Sequence, residues 1–331
     1  MNQTASEPVS SGHPEEIVLP DLEIIDAHIH LWDRTGFDYF APQFLADVAD
    51  GHRVRSSIYV ECNMGYDDGL PEAEQPAAEA RYVMDQIALA GDSPHRLAEG
   101  ILGAGNLLLG RELEPILASQ DEASQGRFRG VRYRVAFDED PEAGYHEPGY
   151  FNEDVMHRPE LQQATALLGE MDLVLDLWAF HTQLDAVKAF AAKVPDTQIV
   201  LDHVGGPLGV GRYATMRQEV FRHWARGIYS LAEAENVSVK ISGLGISRMG
   251  WQFGGTATSD MLVEAWKPYV RTCIDAFGPE RAIFGSNFPV DRQAASYRVL
   301  LNAFKKMLID LSPDELSRIF VENARRTYKL G

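Results

Sequence analysis

Cysteine is nearly absent from this chain: Cys62 and Cys273 are the only two in 331 residues. Two thiols make no disulfide framework, so a reducing, cytoplasmic setting is the simpler expectation. Basic residues are few beside the acids, 30 against 49, which leaves a formal net charge of −19. That balance argues against a nucleic-acid backbone as partner, because phosphates need clustered cations. It argues equally against an anionic membrane surface. An anionic small molecule stays open, since a few local arginines can reverse the potential inside a cleft. No apolar run approaches the length of a membrane span. The opening MNQTASEPVSSGHPEE has neither the basic start nor the apolar run of a signal peptide. Residues 1–20 are expected to form a polar tail before a single domain over 21–331. The partner this leaves is a small-molecule substrate, and a homo-oligomer is compatible with it.

Apolar residues are plentiful, at 45%, which suffices for a large core. They fall into eight short runs: EIIDAHIHL from Glu23, VRSSIYVEC from Val54, LAEGILGAGNLLL from Leu97, RGVRYRV from Arg129, DLVLDLWAF from Asp172, TQIVLDHV from Thr197, VSVKISGL from Val237 and RAIFGS from Arg281. Nearly continuous apolar runs suit parallel strands covered on both faces. Helical spacing fills the gaps, as in QPAAEARYVMDQIALAG, which stops at Gly91, and RPELQQATALLGE, which opens on Pro159. QLDAVKAFAAKV, Thr215–Ala234 and SDMLVEAWKPYVRTCIDAFG read the same way, and Ser312-Pro313-Asp314-Glu315 is a helix start. Eight strands alternating with helices, with no linker, predict an α/β fold, a (β/α)8 TIM barrel in one domain. A doubly wound sheet is the rival.

In such a barrel the chemistry sits at the C-terminal ends of the strands. Polar residues collect there: His28 and His30, Glu61, Asn106, Arg132 and Arg134, His181, His203, Ser242 and Asn287. His28 and His30 stand two apart on a strand and so share a face, a chelating arrangement for a divalent metal. His181 and His203 follow later strands, and the four histidines are expected in one cluster at the barrel mouth. The other histidines, His13, His52, His95, His146, His157 and His223, read as solvated. Glu61 is either a base, a ligand, a partner of a ligating histidine, or a rim ion pair. Arg132 and Arg134 share a face. Directed inward, they would clamp a substrate carboxylate; directed outward, they are surface charges. Trp178, with Trp32, Tyr66, Trp251 and Phe253, suggests a flat ligand. Asn287 cannot serve as a base, because its amide does not titrate. His203 is the first choice for that role, with an ordinary pKa near working pH, followed by Asp291 and Glu61. Asp202 is expected on the opposite strand face from His203, outside the pocket.

The ordered motifs IIDAHIHLWD, GVRY, the post-strand His181, VLDHVGGP and FGSNFPVD resemble the amidohydrolase-related branch of the amidohydrolase superfamily. That branch includes 2-pyrone-4,6-dicarboxylate lactonase and the sugar-acid lactonases. The resemblance covers about residues 23–330 and implies a distorted (β/α)8 barrel that hydrolyses C–O or C–N bonds. It implies that His28 and His30 are the first-strand pair, and that His181 and His203 follow strands five and six. It implies either one zinc-like ion, held by His28, His30 and His181, or a metal-independent site. Asn287 stands where that family usually has an aspartate serving as base or ligand. A neutral amide is a poorer zinc ligand than a carboxylate, so metal binding at the HIH pair is expected to be weak or absent. Lactone hydrolysis is the leading activity on this reading. Metal-dependent decarboxylation of an aromatic or unsaturated acid and a catalytically silent ligand-binding barrel are the alternatives.

Overall fold

The eight apolar runs become the eight strands of one parallel sheet. The computed structural model describes residues 15–34, 36–145 and 153–331. The strands are β1 (Glu23–Ile29), β4 (Arg53–Val60), β5 (Arg96–Gly103), β6 (Phe128–Arg134), β7 (Val174–Trp178), β8 (Ile199–Leu201), β9 (Val237–Ile241) and β10 (Ala282–Phe284). They neighbour one another in chain order, which is barrel topology and not a doubly wound sheet. The last strand meets the first just beyond its own end. Ile29 bridges Phe288 in parallel, His30 N donates to Phe288 O (2.8 Å) and Asn287 N donates to His28 O (2.8 Å). A short hairpin, β2 (Trp32–Arg34) and β3 (Phe37–Tyr39), follows the first barrel strand.

The helices form the outer layer: α1 (Ala41–Val48), α2 (Gln75–Ala90), α3 (Glu114–Ala123), α4 (Pro159–Glu170), α5 (Leu184–Ala191), α6 (Arg217–Leu231), α7 (Ser259–Phe277) and α8 (Tyr297–Met307), with α9 (Pro313–Ser317) and α10 (Asn323–Thr327) closing the chain. Caps lie where the chemistry of the sequence puts them. Thr258 accepts from Met261 N ahead of α7, and Ser312 forms a capping box with Glu315 ahead of α9. The third apolar run is shorter as a strand than its composition suggests. It stops at Gly103, and Asn106 then caps a 3-10 segment, Leu107–Leu113, with its side chain.

Two histidines expected in solvent are buried. His95 places Nδ1 against Val54 O (3.0 Å) and Nε2 against Ser57 Oγ (3.0 Å), under the start of two strands. His52 lies 3.0 Å from Lys305 Nζ. Burial lowers both to a pKa of about 4, so each is a neutral packing group. His13 and His146 lie outside the described residues. Of residues 1–20, the described part runs against the outer helices. Glu15 accepts from Ser259 N (2.8 Å) and Oγ (2.5 Å), and Lys305 Nζ donates to Leu19 O (2.9 Å). Among the described residues no helix is long and apolar enough to cross a membrane.

Candidate active site

His28 and His30 project to the same side of β1, with ring centroids 5.0 Å apart. His30 is turned by a bond from its Nδ1 to Val60 O (2.8 Å) and stacks on Trp32. His28 is fully buried. Its Nδ1 faces Asp202 Oδ1 (3.5 Å) and Lys240 Nζ (3.3 Å), and its Nε2 has no hydrogen-bond partner among the described residues. His203 approaches from β8, its ring centroid 4.5 Å from that of His28. Ser242 Oγ, just past β9, fixes His203 Nδ1 at 2.9 Å, and Trp178 packs edge-on at 4.8 Å.

Asp202 joins this group, contrary to the alternation argument. The strand ends at Leu201, so period-two logic no longer applies one residue later. Asp202 is extended, but His203 (φ 54°), Val204 (φ 50°), Gly205 (φ 68°) and Gly206 (φ 52°) are all left-handed. The turn swings the imidazole round to the side its neighbour already occupies. Left-handed backbone is a genuine strain for a β-branched valine. Val204 is held there by full burial and by Trp224 Nε1, which donates to its carbonyl (2.6 Å).

Gly243 makes room for the turn. It has φ 67°, and a Cβ there would fall 2.3 Å from His203 Nδ1 and 2.4 Å from Cγ. Gly243→Ala is therefore expected to displace the His203 ring and to destabilise the fold by about 1–3 kcal/mol. Urea unfolding together with a structure of the variant checks this. An unmoved ring with unchanged stability would count against the close packing described.

Beneath the histidines lies a charged cluster that sequence reasoning missed. Lys240 on β9 is fully buried, bonded to Asp176 on β7 and 3.3 Å from Asp202 Oδ1. Tyr328, near the C-terminus, donates to Asp176 Oδ1 (2.9 Å). The signal was present: LVLDLWAF and VSVKISGL each carry one charge inside an apolar run, and a buried charge needs a partner.

Glu61, Arg132 and Arg134 form a second group at the ends of β4 and β6. Arg132 Nε donates to Glu61 Oε1 (2.5 Å), its NH2 donates to Glu61 O (2.7 Å), and Arg134 Nε lies 3.5 Å from the same carboxylate. Both arginines are directed inward. With Glu61, Asn63, Asn106 and Tyr133 they line a cavity of about 580 Å³. The cavity lies to one side of the histidines. Arg132 links the two regions, since its charge disfavours protonation of both His30 and His203.

Asn287 is buried with φ 57°, and its Nδ2 donates to Asp291 Oδ1 (2.7 Å) while Gly245 N donates to Oδ2 (3.0 Å). His181 is placed elsewhere. It lies at the start of a 3-10 turn before α5, edge-on to Tyr213 and His223, and Leu208 N donates to its Nδ1 (3.4 Å). His28 thus has ring contacts with both His30 and His203, with Asp202 beside it, while His181 pairs separately with His223.

Burial, reinforced by Lys240, holds His28 well below the usual imidazole range; burial, reinforced by Arg132, does the same to His30. Burial takes His203 down to about 3. All three are neutral at pH 7, the form in which imidazole ligates or accepts a proton. Burial alone would raise Asp202, but Lys240 and His28 outweigh it and hold the carboxylate well below its ordinary range. Asp291 goes the other way: burial lifts it to about 7 against its two hydrogen bonds.

The metal-competent group among the described residues is His28, Asp202 and His203, whose donor atoms lie within 4.8 Å of one another. Two neutral imidazoles, one carboxylate and a buried His28 Nε2 without a partner among the described residues fit a zinc-like ion. This set shares only His28 with the ligands expected from the sequence. His30 and His181 are engaged as above.

Comparison with known proteins gives a consistent picture. A family model described as Amidohydrolase matches residues 25–330. An uncharacterised protein, y4mH, of Sinorhizobium fredii is 30% identical over 94% of this chain and 100% of its own. An L-fucono-1,5-lactonase of Burkholderia ambifaria is 29% identical over 92% of this chain and 95% of its own. A crystal structure of an amidohydrolase from Burkholderia multivorans with bound zinc superposes with a TM-score of 0.72 at 23% identity, covering 93% of this chain and 99% of that one.

Proposed function

Because the chain belongs to the amidohydrolase family and is a hydrolase, we propose that it opens a small, carboxylated lactone with activated water. The observation that carries this reading is the convergence of His28, Asp202 and His203, with a His28 Nε2 that has no partner among the described residues, beside a cavity bounded by Arg132 and Arg134. The lactonase relative supports the choice of a cyclic ester. Asp291 takes the proton of the attacking water: Asn287, bonded to it and to the His28 carbonyl, ties it to the histidine cluster, and burial lifts its pKa to about 7, where a general base is effective. His203, at about 3, is the weaker base of the two. Asn287 cannot take the proton. Its amide instead holds Asp291 Oδ1 in place. As the new C–O bond forms and the ring C–O bond breaks, the proton held on Asp291 passes to the leaving ring oxygen. A divalent ion held by His28, Asp202 and His203 would supply Lewis acidity at the carbonyl.

Arg134 is the more exposed of the two cavity arginines, at 20% against 8% for Arg132, so it is the better contact for a substrate carboxylate. Arg134→Met is expected to lower kcat/KM by roughly 30- to 1000-fold, a loss of about 2–4 kcal/mol. It should do so for carboxylated lactones and much less for uncharged ones. Equal losses on both would remove the carboxylate contact. The activity itself is tested on a panel of lactones and aromatic acids, with ring-opened acid and released CO2 both measured. CO2 without ring opening would replace lactone hydrolysis by decarboxylation. Neither product would leave a ligand-binding barrel.

A further inference from the structure

We infer that Lys240 is a positioning residue, an internal ammonium that shares Asp202 with the metal site and thereby sets how tightly that site holds a divalent cation. The inference rests on the fit of His28, Asp202 and His203 to a metal, and it is independent of which substrate is hydrolysed.

The geometry is a chain of fully buried groups. Tyr328 OH donates to Asp176 Oδ1 at 2.9 Å, and Asp176 Oδ2 accepts from Lys240 Nζ. The same Nζ lies 3.3 Å from Asp202 Oδ1 and 3.3 Å from His28 Nδ1. Lys240, Asp176, Asp202 and His28 are each 0% exposed. Opposite charges this close and this dry interact far more strongly than they would in water. Lys240 is thus held between two carboxylates. One of them, Asp176, has no other role in the site. The other, Asp202, is the only anionic donor that the metal-competent group offers.

Two consequences follow. The ammonium holds the Asp202 carboxylate in position whether or not a cation is bound, and Asp202 in turn faces His28 Nδ1 and keeps Nε2 as the free donor, so the site is assembled in advance. It also competes. Any positive charge arriving at Asp202 meets an ammonium already 3.3 Å from the same oxygen. Asp176 moderates that competition by drawing Lys240 toward itself. Neutralising Asp176 leaves Asp202 as the sole carboxylate for Lys240 and should weaken metal binding. Removing Lys240 and Asp176 together leaves Asp202 to the metal alone and should strengthen it. A purely structural role would give two defects in the same direction.

The test titrates the full chain with Co2+, reading the d–d absorption of the bound ion, with far-UV circular dichroism to confirm that each variant is folded. Asp176→Asn is expected to weaken Co2+ binding by about tenfold, and Lys240→Met with Asp176→Asn to tighten it by about tenfold or more relative to the native chain. The paired variant avoids leaving an unmatched Asp176 in the core, and Lys240→Gln with Asp176→Asn serves if the methionine form does not fold. Equal affinities in all forms, shifts of the same sign, or no cobalt spectrum in any folded form would each overturn the inference. Because the readout is a bound-ion spectrum, these outcomes are separate from whether lactones are hydrolysed.

Discussion

Asp291→Asn is expected to lower kcat for lactone opening by about 100- to 10,000-fold, the usual loss when a general base is removed. Asparagine keeps the size of the side chain but cannot hold the proton, and its amide nitrogen replaces one of the two oxygens that accept from Asn287 and Gly245. The native enzyme should show a kcat that rises with pH through about 7, as the buried carboxyl gives up its proton. The residual rate of the variant should be flat there. His203→Asn is the control. If it flattens the rising limb while Asp291→Asn leaves it intact, the base is His203. The same group leaves a mark on stability. Its folded pKa of about 7 lies above the ordinary 3.8, so the native state holds the proton more tightly than the unfolded one. Stability should therefore fall as pH rises from about 4 to about 7, and this slope should shrink in Asp291→Asn.

Lys240→Met is expected to destabilise the protein by about 3–5 kcal/mol, as happens when one partner of a buried ion pair is removed. Two carboxylates, Asp176 and Asp202, would lose their shared cation at 0% exposure. The measurement is the urea midpoint at constant slope. Adding Asp176→Asn should recover part of the loss, because fewer unmatched charges then remain. A single-variant loss below about 1 kcal/mol would mean that water or a local rearrangement reaches the cluster.

Much of the fold is legible in the sequence. The eight apolar runs, the helix starts at Pro159 and Ser312, and the barrel order all follow from local chemistry that the packing reinforces. The small additions were not readable. The β2–β3 hairpin has three-residue strands, too short for any period to register, and α3, EPILASQDEA, has only a weak apolar face. The site was partly legible. His28 and His30 came from a two-residue spacing that a regular strand preserves. His203 and Asp202 were misjudged relative to each other because a turn, not a strand, carries them. Burial puts Asp291 ahead of His203 as the proposed base, because it reverses the ordinary pKa order of an imidazole and a carboxyl. No composition or spacing records burial at that resolution.

The first and last barrel strands meet through few backbone bonds, chiefly His30 N to Phe288 O and Asn287 N to His28 O. Those residues also carry the site, so the seam of the barrel and its chemistry occupy the same stretch of chain. Opening there would part His28 and His30 from Asn287 and Asp291 while most of the sheet stayed folded. The amides of His30 and Asn287 should then exchange with deuterated solvent sooner than those of β6 and β7. Their slowing on addition of a ligand would be a direct gauge of site assembly. Thermal inactivation should accordingly precede bulk melting, as the parting of one strand pair rather than the collapse of the molecule.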